Sequence, residues 1–314
     1  AGRPVQLTWS RWQEHVAAYP RAPVAALVGA KLRQEGSIAK LRAQIASPAT
    51  MRQFGERLFS NTADWAATRD GAEKGDPLMA TGFLQAYTIP DAEVRHVPIE
   101  LDLPTARMRG GADGYTAFFR ECFIDEVAAR HEREPLSYRI AMLGQDAPMA
   151  ELLQRAARLA NWDGGAAGSG QGLACHRMEG FGGAGRIAVI AEASAGEGGV
   201  RVRRLSAAVD VGRVVNRDIA LQQIEGGIVF GLAQALGGAT DYADGLPTFQ
   251  RLSALGLPTL EDCPDIRVDL VDSTAMPFDP GEIGLPAIAP AVANAFFSAT
   301  GLRLRRLPLL SAFA

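Results

Sequence analysis

The sequence predicts an α+β fold. Two observations carry that reading. Strand-like and helical segments are mixed along the chain without the regular strand–helix alternation of a doubly wound sheet. In the middle, "RIAVIAEAS" and "VRVRRLSAAVDVG" flank "AGEGG", a β-hairpin signal with glycines in the turn.

The elements follow in order. "PVQLTWS" alternates enough for a strand. "VAALVGAKLRQEGSIAKLRAQIAS" reads as two extended segments joined at Glu35-Gly36, and a polar, irregular stretch follows to about Met79. "YTIPDAEVRHVPIEL" is strand-like and broken by Pro90 and Pro98. "MRGGADG" leads into a helix in which Phe119, Phe123 and Val127 recur at helical spacing, with Cys122 on the same side. "PLSYRIAMLG" and "APMAELLQRAARLANW" read as two more helices. The Gly- and Ala-rich "DGGAAGSGQGLA", near residues 163–173, is the best boundary, dividing the chain into domains 1–165 and 166–314. After the hairpin, "NRDIALQQIEGGIVFGLAQALGG" is a helix with Asn216 or Asp218 as cap. Gly226 and Gly227 lower its propensity and call for a close neighbour or a bend. "DIRVDLVDS" is a further strand. A last helix follows "DPGEIG", with Pro290 in its first turn and Gly301 just past its end.

Length and composition set bounds. A chain of 314 residues suits two domains. Apolar residues are 47% and charged residues 21%, ordinary for a globular protein. A net charge of −3 gives no reason to expect nucleic acid or an anionic membrane as partner. Cys122, Cys175 and Cys263 are far apart, so neither a disulfide framework, an iron–sulfur cluster nor a zinc site is encoded. His15, His96, His131 and His176 lack metal-ligand spacing and read as surface or satisfied core residues. No transmembrane run or signal peptide is read, and the compartment stays unknown. A start in mid-strand without Met is expected of a piece of something longer.

Several short patterns invite chemistry. "GSGQG" at 168–172 lacks the lysine of a P-loop and reads as a link; "GFGGAG" at 180–185 reads as a bend. Asp210 and Glu225 read as internal polar anchors. No pairing of a nucleophile with histidine can be drawn from spacing, so a hydrolase has no support. In "MRGGADG", Arg109 with Gly110 and Gly111 before a helix start is an arrangement suited to holding an anion. In "DPGEIGLPAIAPAVANAFF", Glu282 lies between Gly281 and Gly284. It reads either as helix-end electrostatics or as a base in apolar surroundings supplied by Ile283, Leu285, Ile288 and Val292, which would raise its pKa.

Together "RPVQLTWSR", "MRGGADGYTAFFRECFIDEVA", "PLSYRIAMLG", "AVDVGRVVNRDIALQQIEGGIVFGLAQAL" and "GEIGLPAIAPAVANAFFSATGLRLRRLPL" resemble, in order, the molybdenum-binding subunit of the xanthine oxidase family. The branch is that of isoquinoline 1-oxidoreductase beta subunits and related bacterial aldehyde dehydrogenases. The resemblance implies α+β molybdopterin-binding domains with mixed sheets and packed helices. It implies a molybdopterin cofactor, often in the cytosine dinucleotide form, with Glu282 as the base beside the metal and not its ligand. Arg109, Gly110, Gly111, Gly281 and Gly284 would lie against the cofactor. The reaction implied is oxidation of an aldehyde or hydroxylation of a nitrogen heteroaromatic ring, with water as oxygen source. Electrons would leave through a separate subunit with [2Fe–2S] clusters, with a cytochrome as the acceptor beyond it. Departures are present: Ile283 stands where the family commonly has Pro, and "MRGGA" replaces a form more often written W-R-S-V-G. The MGQG and GGFG loops of this branch would lie upstream, on a companion polypeptide carrying the other half of the unit. The contrasting reading is a cofactor-free scaffold or assembly relative of the same fold.

Overall fold

The computed structural model describes residues 2–58, 75–180, 182–249 and 251–313. The first hairpin forms where the sequence places it. β1 (Ala25–Leu32) and β2 (Ile38–Ser47) are antiparallel, with Gly36 at φ +84° in the turn, a conformation that costs little only without a Cβ. β3 (Asp91–Pro98) adds parallel to β2, giving a sheet in the order β1-β2-β3. Pro98 ends an edge strand, where a missing N–H is tolerated.

The expected strand at "PVQLTWS" does not form. Residues 4–9 are irregular, and Val5, Leu7 and Trp9 are exposed. No strand among the described residues offers them a ladder, and the chain enters α1 (Arg11–Ala17) at once. Ser10 Oγ accepts from the Gln13 N–H at 3.3 Å, and Gln13 Oε1 accepts from the Ser10 N–H at 2.9 Å. That reciprocal cap is written in the sequence as S-x-x-Q. A helix, α2 (Thr50–Leu58), also interrupts the stretch read as irregular; Met51, Phe54 and Leu58 fall at helical spacing and are its available sign. Residues 59–74 of that stretch lie outside the described residues.

α3 (Asp113–Arg130), α4 (Pro135–Met142) and α5 (Ala147–Ala160) follow as read. The presumed link at 163–173 is partly a correction. β4 (Gln171–Gly180) begins inside it, and the residues before it are tied down: the Gly168 N–H donates to the Ser298 carbonyl, and Ser298 Oγ donates to the Ala166 carbonyl at 2.8 Å. β4 pairs antiparallel with β5 (Gly183–Gly196), and β5 with β6 (Gly199–Asp210); β9 (Asp265–Leu270) lies parallel on β6. Between β6 and β9 come α6 (Arg217–Leu236), capped by Asn216 as one of the two predicted caps, and the short ribbon β7 (Tyr242–Ala243) and β8 (Leu246–Pro247).

This second sheet is covered on both faces, which is why "RIAVIAEA" is almost uniformly apolar. Ile187, Val189 and Ala191 of β5 enter one core with α6 and the C-terminal helix, while Ala188 and Ile190 enter another with Met149, Leu152, Leu153 and Ala156 of α5. The C-terminal elements are a single turn, α7 (Pro280–Ile283), and α8 (Ile288–Thr300), which ends on Gly301 at φ +76°. The stretches Arg217–Leu236 and Pro280–Thr300 are long and apolar enough to span a membrane by composition, contrary to the sequence reading. In the structure 83% of the second is buried, so its apolarity serves the core.

α8 lies very close to the sheet. A Cβ on Gly172 would stand 1.9 Å from the Ala295 backbone nitrogen. Backbone cannot yield as a flexible side chain can. Gly172→Ala therefore destabilises the fold by about 1–3 kcal/mol or more. Denaturant unfolding of the variant beside the parent protein checks this; an unchanged midpoint would remove the close approach.

Candidate functional site

The turn before α3 and the turn before α8 meet, although 172 residues separate them. Gly110 and Gly111 adopt φ of +83° and +47°. That curl aims the Gly110 N–H outward, and it donates to Glu282 Oε2 at 2.6 Å. Arg109 reaches the same loop from the side. Its Nε donates to the Gly281 carbonyl at 2.8 Å, and its Nη2 makes a shorter bond to the same oxygen. Longer contacts of 3.4 Å reach the Gly226 and Gln223 carbonyls of α6, and the guanidinium lies 5.6 Å from the Phe230 ring.

The helix-end role considered for Glu282 belongs to its neighbour. Asp279 Oδ1 caps the short turn by accepting from the Gly281 N–H at 2.8 Å. Glu282 is half-buried, and no hydrogen bond among the described residues reaches its Oε1. The apolar surroundings expected of it point elsewhere: Ile283, Leu285, Ile288 and Val292 are buried in the protein.

The glycines have distinct reasons. A Cβ on Gly110 would stand 2.7 Å from Leu285 Cδ2, and one on Gly111 would stand 3.2 Å from Arg107 Nε. On Gly284 it would meet the Ile224 carbonyl oxygen at 2.4 Å and Gly227 Cα at 3.1 Å, so the loop and α6 touch backbone to backbone. This is the close neighbour expected of Gly227; the space beside Gly226 is open. Gly281 has looser neighbours, Asp279 Oδ1 at 3.1 Å and Gln223 Oε1 at 3.4 Å. Of the 109–111 turn, the Gly110 N–H meets the chain's own Glu282 carboxylate, and the buried Gly284 presses on α6.

Arg21 escaped the sequence reading. Its Nη2 donates to the Arg109 carbonyl at 2.7 Å and its Nη1 to the Gly111 carbonyl at 3.3 Å, bracing the turn from behind. A lone arginine between Pro20 and Pro23 carries no local signal of that role. Of the two presumed internal anchors, Asp210 is one, accepting from the Gly212 N–H at 2.9 Å; Glu225 is exposed.

Behind the turn runs a buried chain of charges, also unread in the sequence. Glu121 is fully buried; its Oε1 accepts from Arg120 Nε at 3.0 Å and its Oε2 from Arg139 Nε at 2.9 Å. Tyr87 OH and the Cys175 N–H also donate to Oε2. Burial alone would raise the Glu121 pKa, but Arg139 and Arg120 hold it below the ordinary value. Burial and the nearby Glu121 charge push the Cys175 thiol up to about 12. Asp125 takes Arg139 Nη1 at 3.4 Å and Arg303 Nη1 at 2.6 Å.

His176 and His96 are satisfied core histidines, as expected. His176 Nδ1 accepts from Arg120 Nη2 at 3.1 Å and Nε2 faces Asp113 Oδ1 at 2.8 Å. His96 Nδ1 accepts from the Asp76 N–H at 2.9 Å, while Nε2 donates to the Ser47 carbonyl at 3.0 Å. Each ring has a donor aimed at Nδ1, so a second proton has no place. Burial accordingly lowers both pKa values below 6.5. In the unfolded chain these rings protonate near 6.5, so the unfolded state binds more protons below that pH. Their contribution is complete above 6.5 and is lost as pH falls toward the folded values. Glu121 adds loss in the same direction at lower pH, from its unfolded value of 4.5 downward. Denaturant midpoints should fall between about pH 7.5 and about pH 5.5, each histidine contributing a slope of at most about 1.4 kcal/mol per pH unit. A flat profile would contradict the neutral assignment.

A sequence profile described as a molybdopterin cofactor-binding domain matches residues 160–264, spanning β4, β5, β6 and α6. The isoquinoline 1-oxidoreductase subunit beta of Brevundimonas diminuta is 27% identical over all of this chain and 39% of its own length. The profile and this relative support a molybdenum-binding subunit of the xanthine oxidase family. A Gluconacetobacter polyoxogenes family relative, named a membrane-bound aldehyde dehydrogenase [pyrroloquinoline-quinone], is 30% identical over 74% of this chain and 33% of its own. The chain therefore spans well under half the length of these curated relatives. Its α+β fold is that of the family: the aldehyde oxidoreductase of Desulfovibrio desulfuricans superposes with a TM-score of 0.72 at 14% identity, over 95% of this chain and 49% of that one.

Proposed function

We propose that this chain is the C-terminal part of a molybdenum hydroxylase catalytic unit and that Glu282 is its general base. The observation that carries the reading is the Glu282 carboxylate. One oxygen is pinned by the Gly110 N–H at 2.6 Å, and the other, which no hydrogen bond reaches among the described residues, is the one to take a proton. Pinning one oxygen fixes the direction of the other, which is what general base catalysis needs. The arrangement fits one wall of a molybdopterin site. The 109–111 turn fits as the brace of the base, since its donors are already engaged by the chain.

When bound, the cofactor supplies the two-electron oxidant. Glu282 accepts the proton at Oε1 as the water-derived nucleophile forms. Arg109 holds the Gly281 carbonyl, and with it the loop, at a fixed distance from Gly110. The substrate in this reading is an aldehyde or a nitrogen heteroaromatic ring. The cofactor is in the cytosine dinucleotide form. The partners are a polypeptide with the other half of the unit, a [2Fe–2S] subunit and a cytochrome. Support for companions comes from relatives that are themselves named as subunits. The division into 1–165 and 166–314 belongs to the same proposal, supported by the three-stranded sheet on one side of the boundary and the four-stranded sheet on the other.

Two measurements on the purified complex test this. Molybdenum and pterin should be present in near-stoichiometric amounts with this chain; their absence from active preparations would sink the reading. Arg109→Ala should keep the cofactor but lower turnover by roughly 10- to 100-fold, through misplacement of the base. Loss of cofactor with normal turnover per molybdenum would instead make Arg109 a cofactor ligand.

A further inference from the structure

We infer that Asp113 and His176 are positioning residues for Glu282, a buried carboxylate–imidazole pair that fixes the start of α3 and hence the Gly110 N–H. The inference rests on the reading of Glu282 as the base.

Asp113 opens α3 three residues after Gly110. The turn and the helix start are one unit: the Gly110 carbonyl accepts from the Gly114 N–H at 3.1 Å, and the Ala112 carbonyl from the Thr116 N–H at 2.9 Å. Gly110 cannot shift without the first turn of α3. An acidic residue in a first turn ordinarily serves the helix end itself. Here the Ala112 cap position receives no side-chain bond, and Asp113 Oδ1 is turned to His176 Nε2 at 2.8 Å.

His176 sits on β4, fully buried, with Arg120 donating to its Nδ1. Arg120 is itself anchored on the Gly82 carbonyl and on the Cys175 carbonyl at 2.9 Å. The Nε2–H tautomer is therefore set from behind, leaving the proton on the atom that faces Asp113. The space is closed as well: a Cβ on Gly82 would stand 2.3 Å from Asp113 Oδ1 and 2.9 Å from His176 Cε1. β4 thus holds α3 by its first residue, and α3 holds the donor that orients Glu282.

The test uses the complete complex. Asp113→Ala, Asp113→Asn, His176→Gln and Glu282→Gln are compared for kcat, KM, molybdenum content and hydrogen exchange of the 108–116 peptide. Asp113→Ala should lower kcat by roughly 10- to 100-fold, keep KM within about twofold, retain molybdenum, and speed exchange of that peptide. Asp113→Asn keeps an oxygen that accepts from Nε2–H and should restore kcat to within about threefold of the parent. If Asp113→Ala does not assemble, His176→Gln takes its place, with the same split between kcat and KM expected. Parent-like kcat in Asp113→Ala overturns the inference, as do equal losses in the Ala and Asn variants or a loss matched by missing molybdenum. Glu282→Gln separates the two readings. If it is inactive while Asp113→Ala is normal, the positioning role alone fails. If it is active, the base reading fails, and the inference falls with it.

Discussion

Glu282→Gln should leave a folded, molybdenum-loaded complex whose turnover is lower by at least about a thousandfold. The substitution keeps the size of the side chain, and the amide oxygen can still accept the Gly110 N–H now held by Oε2 at 2.6 Å. What disappears is the free, proton-accepting oxygen. General base catalysis is typically worth about 10²–10⁴-fold, and here the base also generates the nucleophile, which places the loss toward the upper end. Metal and pterin content must be measured on the same preparation, because an empty site imitates a dead base. A loaded Glu282→Gln complex with near-normal turnover would return this residue to a purely local role. Asp279 already fills the helix-capping part of such a role.

Glu121→Ala is expected to cost about 3–5 kcal/mol of stability. Glu121, Arg120 and Arg139 are all essentially without solvent contact. Removing the carboxylate strands two guanidinium groups in the core, with Tyr87 OH and the Cys175 N–H losing their acceptor as well. Total domain stabilities are about 5–15 kcal/mol, so the variant should unfold at much lower denaturant or fail to accumulate. Glu121→Gln keeps the shape and some of the hydrogen bonds and should fall between the two. A Glu121→Ala protein within about 1 kcal/mol of the parent would mean that water or rearrangement satisfies the arginines.

Local chemistry was legible in the sequence. The β5–β6 hairpin announced itself by its turn glycines, α6 by its cap at Asn216, and the end of α8 by Gly301. Glu282 stood out because "GEIG" is a poor context for an ordinary surface carboxylate. Long-range pairing was not legible. Arg109 reads as an anion holder in the sequence; in the structure its guanidinium holds the Gly281 carbonyl while the Gly110 N–H meets the Glu282 carboxylate, 172 residues on, a pairing no local pattern encodes. Arg21 and the Glu121 cluster were missed for the same reason. The stripe of Phe119, Phe123 and Val127 suggested an amphipathic α3, whereas Phe118, Ile124, Arg120 and Glu121 are more deeply buried than Phe119 or Phe123. Arg and Glu side by side within "FFRECF" were the available sign of buried charge. At the N-terminus, alternation in "PVQLTWS" outweighed the capping signal at Ser10, because a strand pattern says nothing about whether a partner strand exists.

The ion pair between Asp125 and Arg303 has a consequence for biosynthesis. During synthesis Asp125 emerges 178 residues ahead of its nearest cation, and until then its other arginine contact, Arg139 at 3.4 Å, is the longer one. A core that lacks the shorter of its two arginine contacts to Asp125 until the chain has been made through residue 303 closes fully only late, whatever its helices do early. Ribosome-bound intermediates of this chain would carry α3 with Asp125 short of its second arginine, part of an incompletely packed surface of the kind on which chaperones act.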